Sequence, residues 1–464
     1  MSAPLVIGGG FAGLAAGVEL AALGLTPVVL EGRAHLGGRA YSFTDAGSGE
    51  VVDNGQHALM GCYTHALAFL ERIGAGHRLV RQANMRVAMA HPSGRGGVIA
   101  GAPLPSPLHM VGGVLGYRLL SRREQLRALW AGLAIRRMYE RGHQRLTAQT
   151  VAELLTDLGQ SANAQAAFWN PVAIATLNES PARAAALPFA AVLARAFFGS
   201  RDDAQFVLPG CDLSALYTDD ARRFIEARGG QVLLRAQVAE LELDGDRIAA
   251  VRLRDGQRLA AGACIAAVPP AALAAILPPV LRDAAFAGLD RFATSPIVCA
   301  HLWLDRTVLD QPFLGCLGTA TQWFFNRTAL NGLDARDGQR LGAVISAGRE
   351  LVDWPVERIG EQVVADLRAL LPAARAATVR RCIVVKEKHA TISCTPAAER
   401  VRPGAETPLR NLLLAGDWTA TGLPPTIEGA VASGHRAARL LAAHRVGHAR
   451  PSQGASPCDS PLTS

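Results

Sequence analysis

The chain has 464 residues, of which 50% are apolar and 19% are charged. This length corresponds to two or three domains at roughly 150 residues each, and the composition excludes a largely disordered chain. The eight cysteines are scattered without a CxxC pair or a His/Cys cluster, so we expect a reducing compartment, the cytoplasm, with no disulfide framework and no metal site. Glycine or proline interrupts every apolar run before the ~20 residues of a spanning helix, so no transmembrane helix is predicted.

The N-terminus predicts a β-strand, a glycine-rich turn, a helix and a second strand. Leu5 to Ile7 form the first apolar run, a helical pattern reaches about Leu23, and Val28 to Leu30 form the second run. The turn between strand and helix reads GxGxxG, with glycines at 8, 10 and 13. The first glycine permits a tight turn, the second lets the backbone approach a pyrophosphate, and the third lets the helix pack on the strand. The pattern predicts dinucleotide binding.

The residues after the second strand indicate which dinucleotide binds. Glu31, eighteen residues after Gly13, can accept hydrogen bonds from ribose hydroxyls and disfavours a phosphorylated ribose. The following E-x-R-x-x-x-G-G-R pattern, from Glu31 to Arg39, offers a second group of N–H donors with a guanidinium for phosphate oxygens. This pattern resembles the flavin-dependent amine oxidase and phytoene desaturase superfamily, in which the GGR segment contacts FAD. The resemblance implies an α/β fold: a discontinuous Rossmann-like FAD-binding domain of the glutathione reductase/amine oxidase type, with a mixed α+β substrate domain.

A basic region lies between Arg118 and Arg145, where eight arginines are interleaved with leucines, Trp130 and Tyr139. A solvated helix face is the simpler interpretation of this region, and a surface contact is the alternative. Since the apolar run from Pro107 to Leu120 comes just upstream, a contact here would be with a membrane surface and not with nucleic acid. We therefore expect no nucleic acid partner, and a location in the cytoplasm or peripherally on the inner face of the plasma membrane.

The middle of the chain predicts helices after about Pro107, then a β-meander of three runs, at 231–234, 238–243 and 248–253. Further strands are predicted at 297–304 and 341–347. The superfamily resemblance implies that a valine matching Val238 contacts adenine. The predicted FAD-binding domain comprises residues 1–85, 206–285 and 391–445, the substrate domain comprises 86–205 and 286–390, and 446–464 form a disordered Pro/Ser-rich tail.

The stretch AGDWTATGLPPTIEGAVASG, residues 415–434, predicts a strand end, a loop and a helix start. A flavin has a charged pyrophosphate and, far from it, the N1/O2 edge of its ring, and one βαβ turn cannot hold both. A second helix N-terminus near Glu428 can stabilise negative charge at N1/O2, and Asp417 can accept a ribityl hydroxyl or hold a phosphate-bound water. The predicted cofactor-binding residues are Gly8, Gly10, Phe11, Ala12, Gly13, Glu31, Gly32, Arg33, Gly37, Gly38, Arg39, Gly55, Gln56, His57, Val238, Gly416, Asp417, Ile427, Glu428 and Ala430.

The sequence departs from the amine oxidases within this superfamily. Those enzymes commonly have a lysine near flavin N5, whereas this chain has no lysine before Lys386, and the last cofactor loop, 425–428, has no tyrosine. DNGQH at 53–57, the following GCY at 61–63, and GDWTATGLPPTIEGAV resemble the bacterial hydroxysqualene dehydroxylases over nearly the whole chain. The resemblance implies a C30 isoprenoid substrate, hydroxysqualene, which is reduced to squalene by hydride from reduced FAD with loss of water; the electron donor to FAD is not identified.

Departure of the hydroxyl group requires a proton donor. The candidates are His57, whose ordinary pKa suits the role, then Glu428, Tyr63 and, as a residue that more simply orients its loop, Asp53. Two alternatives stay open: a carotenoid-type desaturase, which transfers hydride in the opposite direction, and a non-catalytic prenyl-lipid carrier with the same fold.

Overall fold

The computed structural model describes residues 3 to 448. Its first layer is a sheet of five short parallel strands, in the order Gln231–Leu233, Val28–Leu30, Leu5–Ile7, Cys264–Ala266 and Leu412–Leu414. The central strand, Leu5–Ile7, is buried throughout, as expected where helices or other layers cover both faces of a parallel sheet. The strands come from the start, middle and end of the chain, so the sheet is discontinuous in sequence.

Two helices from opposite ends of the chain pack directly on each other beside this sheet. They are Phe11–Ala22 and Ile427–His448. Contact is close because position 434 is glycine: a Cβ there would lie 2.2 Å from the carbonyl oxygen of Ala12. Helices Leu213–Glu226 and Thr64–Arg72 complete the same layer. The packing brings both helix N-termini to one edge of the sheet.

A seven-stranded mixed sheet forms the second layer, in the order Val379–Ile392, Thr294–Leu304, Gln339–Ser346, Trp323–Asn326, Phe313–Cys316, Arg86–Ala90 and Gly96–Ala100. Its residues alternate between two cores. Val298 and Ala343 face helix Val356–Leu370, whereas Cys299 and Val344 face a helical region. This alternation gives the sheet one face toward the interior of the molecule.

The helical region follows the two strands at 86–100. Capping boxes at Ser121 with Glu124 and at Thr150 with Glu153 fix the starts of its second and fourth helices. The helices are Leu108–Leu115, Arg122–Glu140, Arg145–Ala148, Val151–Asp157, Ala162–Ala164, Asn170–Leu177 and Ala186–Val192, with π-helical turns at Gln165–Trp169 and Leu193–Phe197.

Smaller elements connect these layers. Strands Ser42–Thr44 and Val51–Asp53 pair as a hairpin, and Leu59–Met60, Phe206–Pro209 and Leu79–Arg81 form a three-stranded sheet. Short helices are Pro270–Ile276, Pro279–Arg282, Arg327–Leu330 and Pro396–Val401, with 3₁₀ turns at Gly76–Arg78, Asp202–Ala204, Leu289–Arg291, Ala335–Asp337 and Pro372–Arg375. In the part of the chain described, no helix is both long enough and apolar enough to span a bilayer.

The α/β fold is as predicted, and so are strands Thr294–Leu304 and Gln339–Ser346. The predicted meander was wrong at its first strand. Gln231–Leu233 pairs in parallel with Val28–Leu30, and the meander consists of Val238–Asp244, Arg247–Leu253 and Arg258–Ala260. So short a run does not indicate which strand it pairs with, and here the partner strand lies about two hundred residues earlier in the chain. The domain boundaries stay a prediction. Helix Ile427–His448 continues past the predicted tail start at 446, and the rest of that tail lies outside the described residues.

Candidate active site

The glycine-rich turn has the geometry that its spacing predicts. Gly8 has φ +109°, a conformation that side chains other than glycine rarely adopt. A Cβ at Gly13 would lie 1.8 Å from the carbonyl oxygen of Gly8, so only glycine lets the helix start so close to the strand. The first intrahelical hydrogen bond is donated by Leu14 to Gly10, so the N–H groups of residues 11–13 have no acceptor within the helix and can bind an anion. These features fit a pyrophosphate.

Glu31 is buried at the end of the second strand and accepts two backbone hydrogen bonds. Gly9 N–H donates to one carboxylate oxygen and Arg33 N–H to the other, both at 2.8 Å. Each oxygen keeps a further acceptor position. The carboxylate is therefore fixed in place beside the glycine turn, where it can accept from a ribose hydroxyl.

The second glycine pair abuts the first turn. Gly37 and Gly38 have φ of +115° and +58°, and a Cβ on Gly38 would lie 3.0 Å from the Cα of Gly10. The next residue, Arg39, donates to Asp417 at 2.7 Å. Burial lowers the pKa of Arg39, but the Asp417 charge and hydrogen bond raise it by more, so the guanidinium stays charged. This pair links the N-terminal clamp to the C-terminal loop.

Arg402, which the sequence analysis missed, holds that C-terminal loop. Its guanidinium is 6% exposed and donates to the carbonyl oxygens of Asp417, Thr419 and Leu423 at 2.6, 2.6 and 2.8 Å. Three main-chain carbonyls of one loop therefore converge on one side chain. The loop leads into helix Ile427–His448, whose N-terminus carries a partial positive charge.

One cavity of about 920 Å³ connects both glycine turns with the C-terminal loop. Gly10 and Ala430, 420 positions apart in the sequence, both line it. Most predicted site residues lie on its wall, namely Gly8, Gly10, Phe11, Ala12, Glu31, Gly32, Arg33, Gly37, Gly38, Arg39, Gly55, Gln56, His57, Tyr63, Val238, Gly416, Asp417, Ile427 and Ala430. Gly13, Asp53 and Glu428 do not line it. The residues present fit FAD, with one anion-binding helix N-terminus for each end of the molecule.

The cavity continues into an apolar chamber between the helical region and the seven-stranded sheet. Its wall there is rich in methionine and aromatic side chains, including Met85, Met89, Phe168, Phe197, Phe206, Trp323 and Phe325. Asn178, Ser346 and Thr391 are polar groups on the same wall. The sequence analysis assigned this region to the substrate without identifying individual wall residues, because they come from segments far apart in the chain.

Asp53 serves a buried ion pair and does not reach the cavity. Its carboxylate lies 3.0 Å from Arg327, and it also accepts from the Ser42 hydroxyl and the Leu213 N–H. Arg327 in turn donates to the Gln56 side chain at 3.1 Å. The prediction that Asp53 orients its loop agrees with this arrangement, whereas its place among the proton donors does not. Arg327 was missed because its partners Asp53, Gln56 and Asp212 all lie more than a hundred positions earlier.

Glu428 is also occupied away from the cavity. It is 2% exposed, and its oxygens accept from the N–H groups of His65 and Ala66, at the start of helix Thr64–Arg72. Arg195 lies 3.7 Å away. A carboxylate at this helix N-terminus stabilises the orphan donors there. The Glu428 side chain therefore points to the neighbouring helix, which does not favour the role of proton donor, and its contact with the flavin stays a prediction.

His57 lines the cavity, but its ring has a fixed orientation. Nδ1 lies 2.9 Å from the carbonyl oxygen of Gly55, which can only accept, so Nδ1 carries the proton in the neutral ring. Burial lowers the pKa of His57, although the Gly55 carbonyl and the carboxylates of Asp53 and Glu387 oppose the shift. The ring is neutral at neutral pH, with Nε2 as an acceptor. This corrects the expectation of a pKa suited to an acid.

Two further groups on the wall can act on a bound molecule. Burial raises the pKa of the Tyr63 phenol, which stays protonated and able to donate. Glu387, which the sequence analysis missed, accepts from the Asn54 amide at 3.0 Å and from the Tyr41 hydroxyl at 3.4 Å. Both lie on the cavity wall.

Comparisons with known proteins agree with this site. The family model for flavin containing amine oxidoreductases matches residues 11–442. Three proteins named hydroxysqualene dehydroxylase are similar at 26 to 30% identity; for that of Sinorhizobium fredii, the match is 30% and covers 94% of this chain and 97% of the relative. A 15-cis-phytoene desaturase from Synechococcus elongatus is 25% identical, over 95% of this chain and 96% of its own length.

Among solved structures, an oxidoreductase from Methanosarcina mazei has the same fold, with a TM-score of 0.73 at 16% identity, covering 93% of this chain and 99% of that one. The cofactor is FAD, and the oxidoreductase family argues against the non-catalytic carrier. The chain is an FAD-dependent oxidoreductase that belongs to the flavin containing amine oxidoreductase family and, within that family, is similar to hydroxysqualene dehydroxylases over nearly its whole length.

Proposed function

We propose that this enzyme reduces hydroxysqualene, a C30 isoprenoid allylic alcohol, to squalene with release of water. The proposal rests on one observation: the cofactor cavity is continuous with an apolar chamber lined by methionine and aromatic side chains. A chamber of this kind suits a long hydrocarbon better than a small charged amine. The names of three full-length relatives support the same substrate.

The proposed reaction replaces the C–O bond of the substrate by a C–H bond. Reduced FAD, when bound, would supply the hydride that the allylic carbon gains. The C–O bond breaks, and the departing hydroxide takes one proton to leave as water. The glycine turns and Arg39 would hold the cofactor, while residues 54–57 and the loop before Ile427, which line the same cavity, would form the boundary between cofactor and chamber.

The proton comes from a side chain at this boundary. His57 is neutral with its one proton on Nδ1, which Gly55 already accepts, so Nε2 can accept but has nothing to donate. Tyr63 keeps its phenol proton and lines the same cavity. We therefore assign the hydrogen bond to the departing hydroxyl to Tyr63, and to His57 the role of accepting a hydrogen bond that orients the substrate.

A carotenoid-type desaturase remains the second candidate, because the phytoene desaturase relative spans nearly the whole chain and would use the same chamber. The two candidates differ in the direction of hydride transfer. Mixing photoreduced, oxygen-free holoenzyme with hydroxysqualene gives reoxidised flavin and squalene in one turnover under the first proposal. Mixing oxidised holoenzyme with phytoene gives flavin bleaching under the second.

Two controls sharpen this experiment. Squalene, which lacks the hydroxyl, should leave the reduced flavin unchanged. The Tyr63→Phe variant should bind FAD normally and reoxidise more slowly. Reduced enzyme that stays reduced with hydroxysqualene for many multiples of the expected turnover time would refute the dehydroxylase proposal.

A further inference from the structure

Three large apolar side chains are exposed along one side of helix Arg122–Glu140. Leu126 is 62% exposed, Trp130 58% and Leu133 39%. Their spacing of four and three residues puts them on one helix face, opposite the buried Ala128, Ala131 and Ile135. We call these three residues the apolar stripe. Single exposed leucines need no explanation, whereas an aligned set with a tryptophan marks an interaction surface.

Arginines border the stripe. Arg123, Arg127, Arg137 and Arg141 are exposed and recur on the adjoining helix face. Within residues 3–448, none of these four lies within 4 Å of a carboxylate oxygen, while Arg136 on the inner side pairs with Glu140. The free guanidiniums complement a negatively charged partner, and their long stems let the charged groups reach outward beside buried apolar neighbours.

A second exposed apolar pair lies at the start of helix Leu108–Leu115, with Leu104 in the loop before it and Leu108 as its first residue. Leu104 is 47% exposed and Leu108 52%. The loop is attached beside the same helix, since the Ser106 hydroxyl donates to the carbonyl of Phe198 and the Phe198 ring lies 5.4 Å from the guanidinium of Arg136. Several apolar residues in the rest of the run 107–120 are buried and unavailable for contact, namely Val114, Tyr117, Leu119 and Leu120.

We propose that the apolar stripe and its bordering arginines dock on the surface of an anionic phospholipid bilayer. Leucines and a tryptophan aligned on a helix, edged by arginines, suit the boundary between headgroups and acyl chains. A protein partner would need a matching acidic groove; a bilayer supplies negative charge and an apolar phase together. The inference rests on the proposed function in one respect, a polyprenyl substrate that the bilayer dissolves.

The chamber wall lies close behind this helix. Gly132 packs against the indole ring of Trp169, since a Cβ added at Gly132 would lie 4.0 Å from that ring. The Trp169 ring in turn meets the ring of Phe168, on the chamber wall, edge to face with a centroid distance of 4.8 Å. A docked helix therefore puts the chamber next to the lipid phase.

The test measures binding of the full-chain holoenzyme to vesicles by sedimentation, with no substrate present. Wild-type protein should sediment with vesicles containing phosphatidylglycerol and much less with phosphatidylcholine alone. The triple variant L126S/W130S/L133S should lose binding to both, and R123Q/R127Q should weaken binding to the anionic vesicles by roughly thirtyfold, from the usual attraction of two arginines to such a surface. The control L23S/V280S removes two apolar side chains that are 49% and 71% exposed elsewhere, and should bind like the wild type.

Tryptophan fluorescence measures whether the apolar stripe enters the bilayer. Bromine-labelled lipid should quench part of the wild-type tryptophan fluorescence, and W130F, which keeps an aromatic ring, should bind equally well but lose that quenching. Unchanged sedimentation of the triple variant, or equal quenching in W130F, would overturn the proposal. So would a wild-type dimer that the triple variant dissociates without any change in vesicle binding, since the stripe would then join two copies of the chain. None of these readouts uses turnover, so a failure here is distinct from a failure of the proposed reaction.

Discussion

Replacing Arg327 by methionine should destabilise the enzyme far more than removing a neighbouring arginine on the same face. Arg327 is 9% exposed at its side chain and pairs with Asp53, which is 1% exposed, at 3.0 Å. Without the guanidinium, the Asp53 carboxylate stays buried and keeps only the hydrogen bonds from Ser42 and Leu213. Breaking one side of a buried pair costs about 3–5 kcal/mol, and these two remaining donors favour the lower end.

The magnitude is measurable by thermal unfolding at saturating FAD. A loss of about 3 kcal/mol lowers the Tm by roughly 3 °C, because an unfolding entropy of about 2 cal/mol/K per residue sums to about 1 kcal/mol/K over 464 residues. Arg340 provides the matched control, because it forms an exposed ion pair with Glu50 at 3.0 Å. The side chain of Arg340 is 42% exposed and that of Glu50 is 32% exposed. R340M should cost no more than about 1 kcal/mol.

A double-mutant cycle isolates the pair. In D53N/R327M the buried charge of Asp53 is removed together with its partner, and only Asp212, which is 34% exposed and lies 3.3 Å from Arg327, loses an ion pair. The loss should therefore be smaller than the sum of the single variants by about 1–3 kcal/mol. R327M should also weaken FAD binding, because it releases the Gln56 side chain that Arg327 holds at the cavity wall. If R327M unfolds at the same temperature as R340M, or if the two single effects simply add, Arg327 does not anchor the DNGQH loop and the reasoning fails.

Three other predictions concern the cofactor turn, the pH dependence and the reaction. Gly13→Ala puts a methyl group 1.8 Å from the Gly8 carbonyl oxygen before any relaxation. We therefore expect the variant to purify without bound flavin and to have a lower Tm than the wild type even in excess FAD. A yellow variant that is fully loaded with flavin would contradict the turn geometry. Burial lowers the pKa of His435 from 6.5 to about 4. Below pH 6.5 the unfolded state therefore binds more protons at this group than the folded state does. Through His435 alone, the free energy of unfolding should fall by about 2 kcal/mol between pH 7 and pH 5. His435→Gln should remove that part of the slope in a denaturant titration at the two pH values, while His77→Gln, at an exposed site, should not. Tyr63→Phe should lower kcat on hydroxysqualene by about a hundredfold or more at unchanged flavin content, the usual effect of losing a proton donor; unchanged kcat would assign the donor elsewhere.

The sequence is most informative about the glycine turns of the candidate site, because their constraints are local. Gly8, Gly10 and Gly13 act through backbone conformation and close approach within one turn, and that information is present in six consecutive residues. The C-terminal helix start is predicted for the same reason. Where a residue works through its own main chain, spacing alone is informative.

Residues that work through distant side-chain partners are not predictable in this way. Glu428 stands at the correct helix start, yet its carboxylate caps another helix that begins 364 positions earlier, at Thr64. Arg327 and Arg402 hold loops of the site, but each lies in a segment without a motif. The expected acid role of His57 is disfavoured by features that the sequence could not show, since burial, which lowers its pKa, and the hydrogen bond with the Gly55 carbonyl exist only in the folded chain.

The polar groups of the chamber explain how an alcohol could be oriented within an apolar space. The Asn178 amide donates to the Ser295 carbonyl and the Thr391 hydroxyl at 3.2 and 2.9 Å, and its oxygen accepts from the Ala347 N–H at 2.7 Å. Because these groups of Asn178 are already paired within the protein, an alkene chain can lie beside the residue without leaving a donor unsatisfied. A substrate hydroxyl that is buried without a partner costs roughly 1–3 kcal/mol. On the proposed function, the hydroxyl of the substrate is therefore least costly to bury at the end of the chamber where Tyr63 can donate and His57 Nε2 can accept. On the same proposal, these polar groups disfavour the hydrocarbon at that end, so the position of the hydroxyl would select the reacting carbon.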